Sequence, residues 1–273
     1  MSAADWPMAE LEAQLASVLP GCRAEHLAEV DSTNTELMRR ARSGVAGPVL
    51  LVADRQTAGR GRMGRSWQSA IGAADPASLT FSLGLPLAPK EWSGLSLAVG
   101  VALADCLDPD GRASVSLKWP NDLWVEGRKL GGILVETASS AQGGQGNARE
   151  RHVVIGAGIN IAKRPGDGMR TPPACVHEWQ PQATAPEVLL SLAAPLLRSV
   201  LEFAEAGFGP LAERFARRDA LRGHEVALSD GRTGRCEGVG PGGELRVRTG
   251  DGVQAITSAE VSVRPSESRA NFS

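Results

Sequence analysis

"GRGRMG", residues 59–64, places three glycines at the spacing G-x-G-x-x-G. Whether this stretch is a dinucleotide turn decides between a doubly wound parallel sheet and another arrangement of strands and helices. A dinucleotide turn needs a strand that ends at the first glycine, a helix behind it, and an acidic residue about 20 positions on. Upstream, PVLLVAD (48–54) reads as an apolar strand, but Arg55-Gln56-Thr57-Ala58 intervene before Gly59. Downstream, SWQSAIGAADPAS holds Gly72 and Pro76 and is poor helix material, and position 84 is glycine rather than Asp or Glu. The motif therefore fails as a dinucleotide turn. What is left is a loop loosened by glycine and carrying Arg55, Arg60, Arg62 and Arg65. Guanidinium forks match phosphate and carboxylate oxygens, so the loop reads as a local anion trap. A solvated basic loop and a nucleic-acid contact stay open on this stretch alone.

Around it, apolar periodicity predicts a helix over 8–19, a strand over 26–30 and a helix from Thr33 to Gly44. A strand over 79–85 and a buried helix over 91–107 follow. Residues 114–138 hold three successive strand-like segments with turns at Pro120-Asn121 and Gly127. A polar glycine-rich loop (139–150), a strand (152–161), an irregular proline-rich stretch (163–186) and helices over 187–206 and 209–221 complete the larger part. From Gly223 to Arg264 short β-prone runs alternate with Gly- and Asp-rich turns, the pattern of a small SH3-like β-barrel. The expected fold is α+β: a mixed β-sheet with helices over 1–221, a small β-barrel over 222–265, and a disordered tail over 266–273.

A net charge of −2 gives no general attraction to nucleic acid or to an anionic membrane. Cys22, Cys106, Cys175 and Cys236 are widely scattered, as are His26, His152, His177 and His224, so no His/Cys metal site is expected. The N-terminus lacks the pattern of a signal peptide, and no run of 18 apolar residues occurs. A cytoplasmic location without a membrane partner is the resulting expectation.

Further stretches combine polar chemistry with space. In RKLGGILVE (128–136) strict alternation puts Lys129, Gly131, Ile133 and Val135 on one face. A lysine among apolar neighbours is costly to bury unless an anion meets it, although Lys129 also suits a solvated strand start. KWPNDL (118–123) sets Asn121 and Asp122 at a proline turn, where they serve a ligand or cap the backbone. GAGIN (156–160) interrupts an apolar strand with Gly156, Gly158 and Asn160, a mark of close approach. Ser32-Thr33-Asn34 opens a helix, with Thr33 and Glu36 fitting a capping box. No nucleophile with its base can be argued from the spacings. Cations and hydrogen-bond donors dominate, which suits phosphoryl or nucleotidyl chemistry on anionic substrates.

Taken in order, DSTN (31–34), QTAGRGRMGRSW (56–67), KWPNDL, RKLGGILVE and GAGIN resemble the motifs of the bacterial biotin–protein ligases, and RFARRDALRGHEVAL (214–228) resembles that family's entry into its C-terminal β-domain. The resemblance implies a sheet related to class II aminoacyl-tRNA synthetases. It also implies two half-reactions: biotin carboxylate attacks the α-phosphate of ATP, with Mg2+ accompanying the nucleotide, and a lysine of a biotin carboxyl carrier protein domain then takes biotin from biotinyl-5′-AMP. By the same resemblance Ser32, Thr33, Asn34, Gln56, Gly59, Arg60, Gly61, Arg62, Lys129 and Gly132 would contact biotin. Arg60, Arg62, Arg65, Trp67, Asn121, Asp122, Lys129, Gly158 and Asn160 would contact ATP or the adenylate, and Lys129, Arg60 and Arg62 would carry the chemistry. Trp67 and Trp119 are left between packing on adenine and serving as core. Met63 stands where the family often has a basic residue, and the segment after Trp67 looks longer than usual. About 27 residues precede the core that these motifs span (about 28–161), too few for a winged helix-turn-helix, so a monofunctional ligase that does not bind DNA is expected, as monomer or homodimer. The alternatives are a lipoate or octanoate ligase or transferase of the same fold, and a biotin-binding regulator without catalysis.

Overall fold

The computed structural model of the chain describes residues 5–45, 47–68, 77–138, 150–163, 173–257 and 263–265. The larger sheet contains β1 (Arg23–Val30), β2 (Val49–Gln56), β3 (Ser78–Leu87), β4 (Ser116–Lys118), β5 (Asp122–Val125), β6 (Arg128–Ala138) and β7 (Arg151–Asn160). Its order is β1-β2-β3-β7-β6-β5-β4. Only β1 and β2 run parallel, joined through helix α2 (Thr33–Arg42); the other neighbours are antiparallel. This is the expected mixed sheet rather than a doubly wound one. Strand β2 runs on to Gln56, past the expected end at 54, so that only Thr57 and Ala58 separate it from Gly59. No helix follows. The chain instead makes a single 3-10 turn at Arg62–Gly64.

Strand β3 shows how the sheet acquires two unlike faces. Leu79, Phe81, Leu83 and Leu85 point into the main core, while Thr80, Ser82 and Gly84 alternate with them. Helices α1 (Met8–Val18), α3 (Leu95–Leu107) and α4 (Ala185–Ala206) supply the other side of that core. Helix α3 begins four residues later than the apolar pattern suggests, because Gly94 takes φ +87° at its N-cap. Helix α4 begins at Ala185, where Thr184 and Glu187 form a reciprocal capping box. On the opposite face of the sheet α2 buries Leu37, Met38 and Ala41 against Leu51, Val154 and Ala138. Its cap is Ser32, which accepts from Thr35 N, and not Thr33 with Glu36. Thr33 and Asn34 are thereby free to face the sheet.

After α5 (Ala212–Arg218), strands β8 (Glu225–Leu228), β9 (Thr233–Val239), β10 (Leu245–Thr249), β11 (Gly252–Ile256) and β12 (Val263–Pro265) form a second, antiparallel sheet. It shares the main core: Val226, Cys236, Leu245 and Val247 are buried in one cluster with the helices of the larger part. Trp119 sits at this junction, 1% exposed, and donates Nε1–H to Gly243 O at 3.1 Å. Trp119 is therefore core. The expectations for the loop after Trp67, the glycine-rich loop and the tail fall largely on 69–76, 139–149 and 266–273, outside the described residues.

Candidate active site

The polar face of β3 continues across its neighbours. Thr80 pairs with Gly158 and Gly158 with Gly132, while Ser82 pairs with Gly156 and Gly156 with Leu134. Apart from Leu134 these are small residues, and they make a floor on which other side chains lie. A methyl group at Gly156 would overlap the Asn34 carboxamide, and one at Gly158 would overlap the Trp67 indole. Strict alternation misassigns Lys129 here. Leu123 pairs with Gly131 but Trp124 pairs with Lys129, so Leu130 is an extra, bulged residue. The bulge moves Lys129 off the Gly131 face and onto that of Gly132, where its Nζ lies 3.2 Å from the position a Gly132 Cβ would occupy.

One end of the cleft above this floor is a closed polar network. Gln56 Oε1 accepts from Thr33 N at 2.8 Å and from Thr33 Oγ1 at 3.1 Å. Ser82 Oγ lies 2.7 Å from Thr33 Oγ1 and 2.6 Å from Asn34 Oδ1. The two hydroxyls have two protons for three such contacts, so one contact is always without its proton. This end can re-aim a donor toward a ligand without moving heavy atoms. Asn34 Nδ2 donates to Leu134 O at 3.2 Å and to Glu136 Oε2 at 3.0 Å, which fixes its oxygen toward Ser82.

The other end is cationic. Lys129 Nζ sits 2.7 Å from Asp122 Oδ1, and Arg62 Nη1 donates to Asn121 Oδ1 at 3.3 Å. Asn121 Nδ2 in turn donates to Ile133 O at 2.8 Å. Burial lowers the Arg62 pKa from its ordinary value, with Arg65 adding to that and Asp122 opposing it. A desolvated guanidinium of this kind gains most when an anion arrives. The arginine-glycine stretch is a hairpin: Gly61 N donates to Arg65 O at 2.7 Å, and Trp67 N to Gly59 O at 2.8 Å. Arg60 clamps Glu136 with two contacts of 2.9 and 3.1 Å. Met63, at the tip, takes φ +55° and is 63% exposed.

Ser32, Thr33, Asn34, Gln56, Arg60, Gly61, Arg62, Arg65, Trp67, Asn121, Asp122, Lys129, Gly132 and Gly158 all line this one cleft. Gly59 and Asn160 do not. Gly59 closes the hairpin against Trp67 O and Gln56. Asn160, 1% exposed, turns away and donates to Lys129 O and Ala174 O, pinning the strand that carries Lys129. Sequence reasoning passed over Ser82 and Glu136. Ser82 had a signal, since Thr80, Ser82 and Gly84 recur at every second position of an otherwise apolar strand. Glu136 had none, because its role depends on a contact with Arg60, 76 residues away.

Residues 27–160 match the model of the Biotin/lipoate A/B protein ligase family. The chain is 34% identical over 245 residues to the biotin–[acetyl-CoA-carboxylase] ligase of Paracoccus denitrificans, covering 86% of this chain and 98% of that one. It is also 34% identical over 264 residues to the bifunctional ligase/repressor BirA of Escherichia coli, covering 93% and 78%. Among solved structures, the biotin protein ligase from Aquifex aeolicus in complex with biotin and ATP superposes with a TM-score of 0.74 at 28% identity, over 89% of this chain and 99% of that one.

Proposed function

Because this chain belongs to the biotin/lipoate A/B protein ligase family, we propose a division of labour within its cleft for the activity it shares with its relatives, ATP-dependent biotin–protein ligation. The enzyme makes biotinyl-5′-AMP and pyrophosphate from biotin and ATP, then transfers biotin to a lysine of the carrier domain of acetyl-CoA carboxylase. In the first step a biotin carboxylate oxygen forms a bond to the α-phosphorus as the bond to pyrophosphate breaks. In the second, the acceptor amine attacks the acyl carbon, AMP leaves with the bonding pair, and the amine loses a proton.

The observation that carries the assignment is the opposition of two chemistries on one glycine floor. At the polar end Ser32, Thr33, Asn34 and Gln56 suit a ureido ring, which both donates and accepts hydrogen bonds. At the cationic end Lys129, Arg62 and Arg65 suit the carboxylate and α-phosphate, whose negative charge builds as the groups approach. Substrate anions would take over the partner that Asp122 supplies to Lys129. Trp67, lying on Gly158, would bound the adenine side, and the hairpin with Arg60 and Gly61 would cover the acyl-adenylate. Mg2+ would arrive with ATP. No group of three His, Cys, Asp or Glu gathers among the described residues, and Asp122 is the single carboxylate among those lining the cleft. That donor set fits a magnesium ion held mostly by phosphates and water.

The finer features follow the same reading. We assign the catalytic unit to 1–221, and the five C-terminal strands to an SH3-like barrel over 222–265. We also infer a cytoplasmic enzyme, monomeric or homodimeric, without a nucleic-acid partner; no described helix is long and apolar enough to cross a membrane. Exchange of label between pyrophosphate and ATP tests the activity. It is expected with biotin and not with lipoate. Exchange with lipoate alone would identify a lipoate ligase, and biotin binding without AMP formation would identify a regulator.

A further inference from the structure

Glu136 lies at the far end of β6, on the same face as Gly132 and Leu134, and its side chain is 21% exposed. Its carboxylate joins two parts of the site that are remote in sequence. Oε1 accepts from Arg60 Nη2, while Oε2 accepts from both Arg60 Nη1 and Asn34 Nδ2. Arg60 belongs to the hairpin over the cleft, and Asn34 to the polar network below it. Gly61–Arg65 and Trp67–Gly59 backbone hydrogen bonds tie the two arms of the hairpin together, so a hold on Arg60 is passed to both arms. The flap also touches the floor through an Arg62–Asn121 contact of 3.3 Å and the Trp67 ring on Gly158, but the Arg60–Glu136 pair is bidentate and charged on both sides.

We propose that Glu136 is a positioning residue, a latch that holds the arginine-glycine flap closed through Arg60 and shares its acceptor oxygen with Asn34, coupling ring recognition to flap closure. The inference rests on the ligase reading for its consequence, the retention of biotinyl-adenylate, but not for the latch itself. A fork-to-carboxylate pair has the geometry to hold the flap in one place. Its two donors from Arg60 and one from Asn34 leave little of Glu136 for water. A ring seated against Asn34 and a flap seated on Arg60 thus reinforce each other through one carboxylate.

The test uses Glu136→Gln, Arg60→Gln and the double variant in the full chain. The first readout needs no ligand: the rate of tryptic cleavage after Arg62 and Arg65. The second is the release rate of preformed biotinyl-adenylate. Each single variant is expected to raise both rates roughly two- to fivefold, the scale of a partly exposed ion pair. The double variant should be no faster than either single, because both remove one interaction. Parental rates in Glu136→Gln, or effects that simply add, would overturn the latch. A parent protein that forms no adenylate from biotin would instead overturn the ligase reading, and the cleavage rates would still decide on the latch.

Discussion

Lys129 Nζ and Asp122 Oδ1 stand 2.7 Å apart across the β5–β6 hairpin, and the bulge at Leu130 is what turns the lysine to that face. With Lys129 36% exposed, the pair adds little to stability. It holds a cation oriented over Gly132, and in the proposed function a substrate anion would replace the carboxylate there. Lys129→Ala should reduce biotin-dependent pyrophosphate exchange by about 100-fold or more, the scale for removing one preorganised charge-stabilising group. Its thermal midpoint should stay near that of the parent. Unchanged turnover would return Lys129 to the role of a solvated residue at a strand start.

Arg60 holds the flap from outside the cationic end, so its loss should act on retention more than on chemistry. Arg60→Gly is expected to form adenylate but to let it escape. Incubating the variant with a bystander protein and biotin, and counting biotinylated lysines, checks this; labelling no wider than with the parent would count against a closing role for the flap.

The two floor glycines should separate the two substrates. A methyl group on Gly156 collides with the Asn34 carboxamide, whereas one on Gly158 collides with the Trp67 ring. Overpacking typically costs about 1–3 kcal/mol. Gly156→Ala should therefore weaken biotin binding by roughly 5- to 150-fold by calorimetry. Gly158→Ala should raise the KM for ATP while biotin affinity in the absence of ATP stays within about twofold. The reverse pattern would exchange the two ends of the cleft.

Trp67 and Trp119 belong to motifs of the same kind but have different duties. Trp119 is almost wholly buried at the junction with the second sheet and hydrogen-bonded to Gly243. Trp119→Ala should lose about 3–5 kcal/mol of folding stability in denaturant titrations. Trp67→Ala should unfold at a denaturant concentration close to that of the parent, and show its defect in ATP affinity.

Burial pushes the Asp219 carboxyl above the usual carboxylate range, against the hydrogen bonds that Leu221 and Arg222 backbone groups give it. The folded chain thus holds this proton more tightly than the unfolded chain does, so stability falls with rising pH there. The contribution is complete below the unfolded pKa and is lost as pH rises through the folded one. Asp219→Asn should flatten that part of the stability profile and gain on the parent toward neutral pH. A profile parallel to the parent's would show that the carboxyl titrates alike in both states.

The order of elements was legible locally, because each signal lies within a few residues of what it specifies. Apolar periodicity located α1, α2, β3 and β7. The same reasoning erred where the signal was not local. Strict alternation put Lys129 with Gly131, since a bulge appears only when Leu123 and Trp124 choose partners on β6. Thr33 looked like a cap until Ser32 took that place and turned Thr33 toward Gln56. Asn160 looked like a ligand residue until its carboxamide met two carbonyls from other segments. The sequence by itself determined which segments carry cations, which carry glycines, and that no dinucleotide turn exists. Only the tertiary structure decided which face each group occupies, that Ser82 and Glu136 join the site, and that Trp119 is core, because strand register and side-chain contact are fixed by partners dozens of residues away.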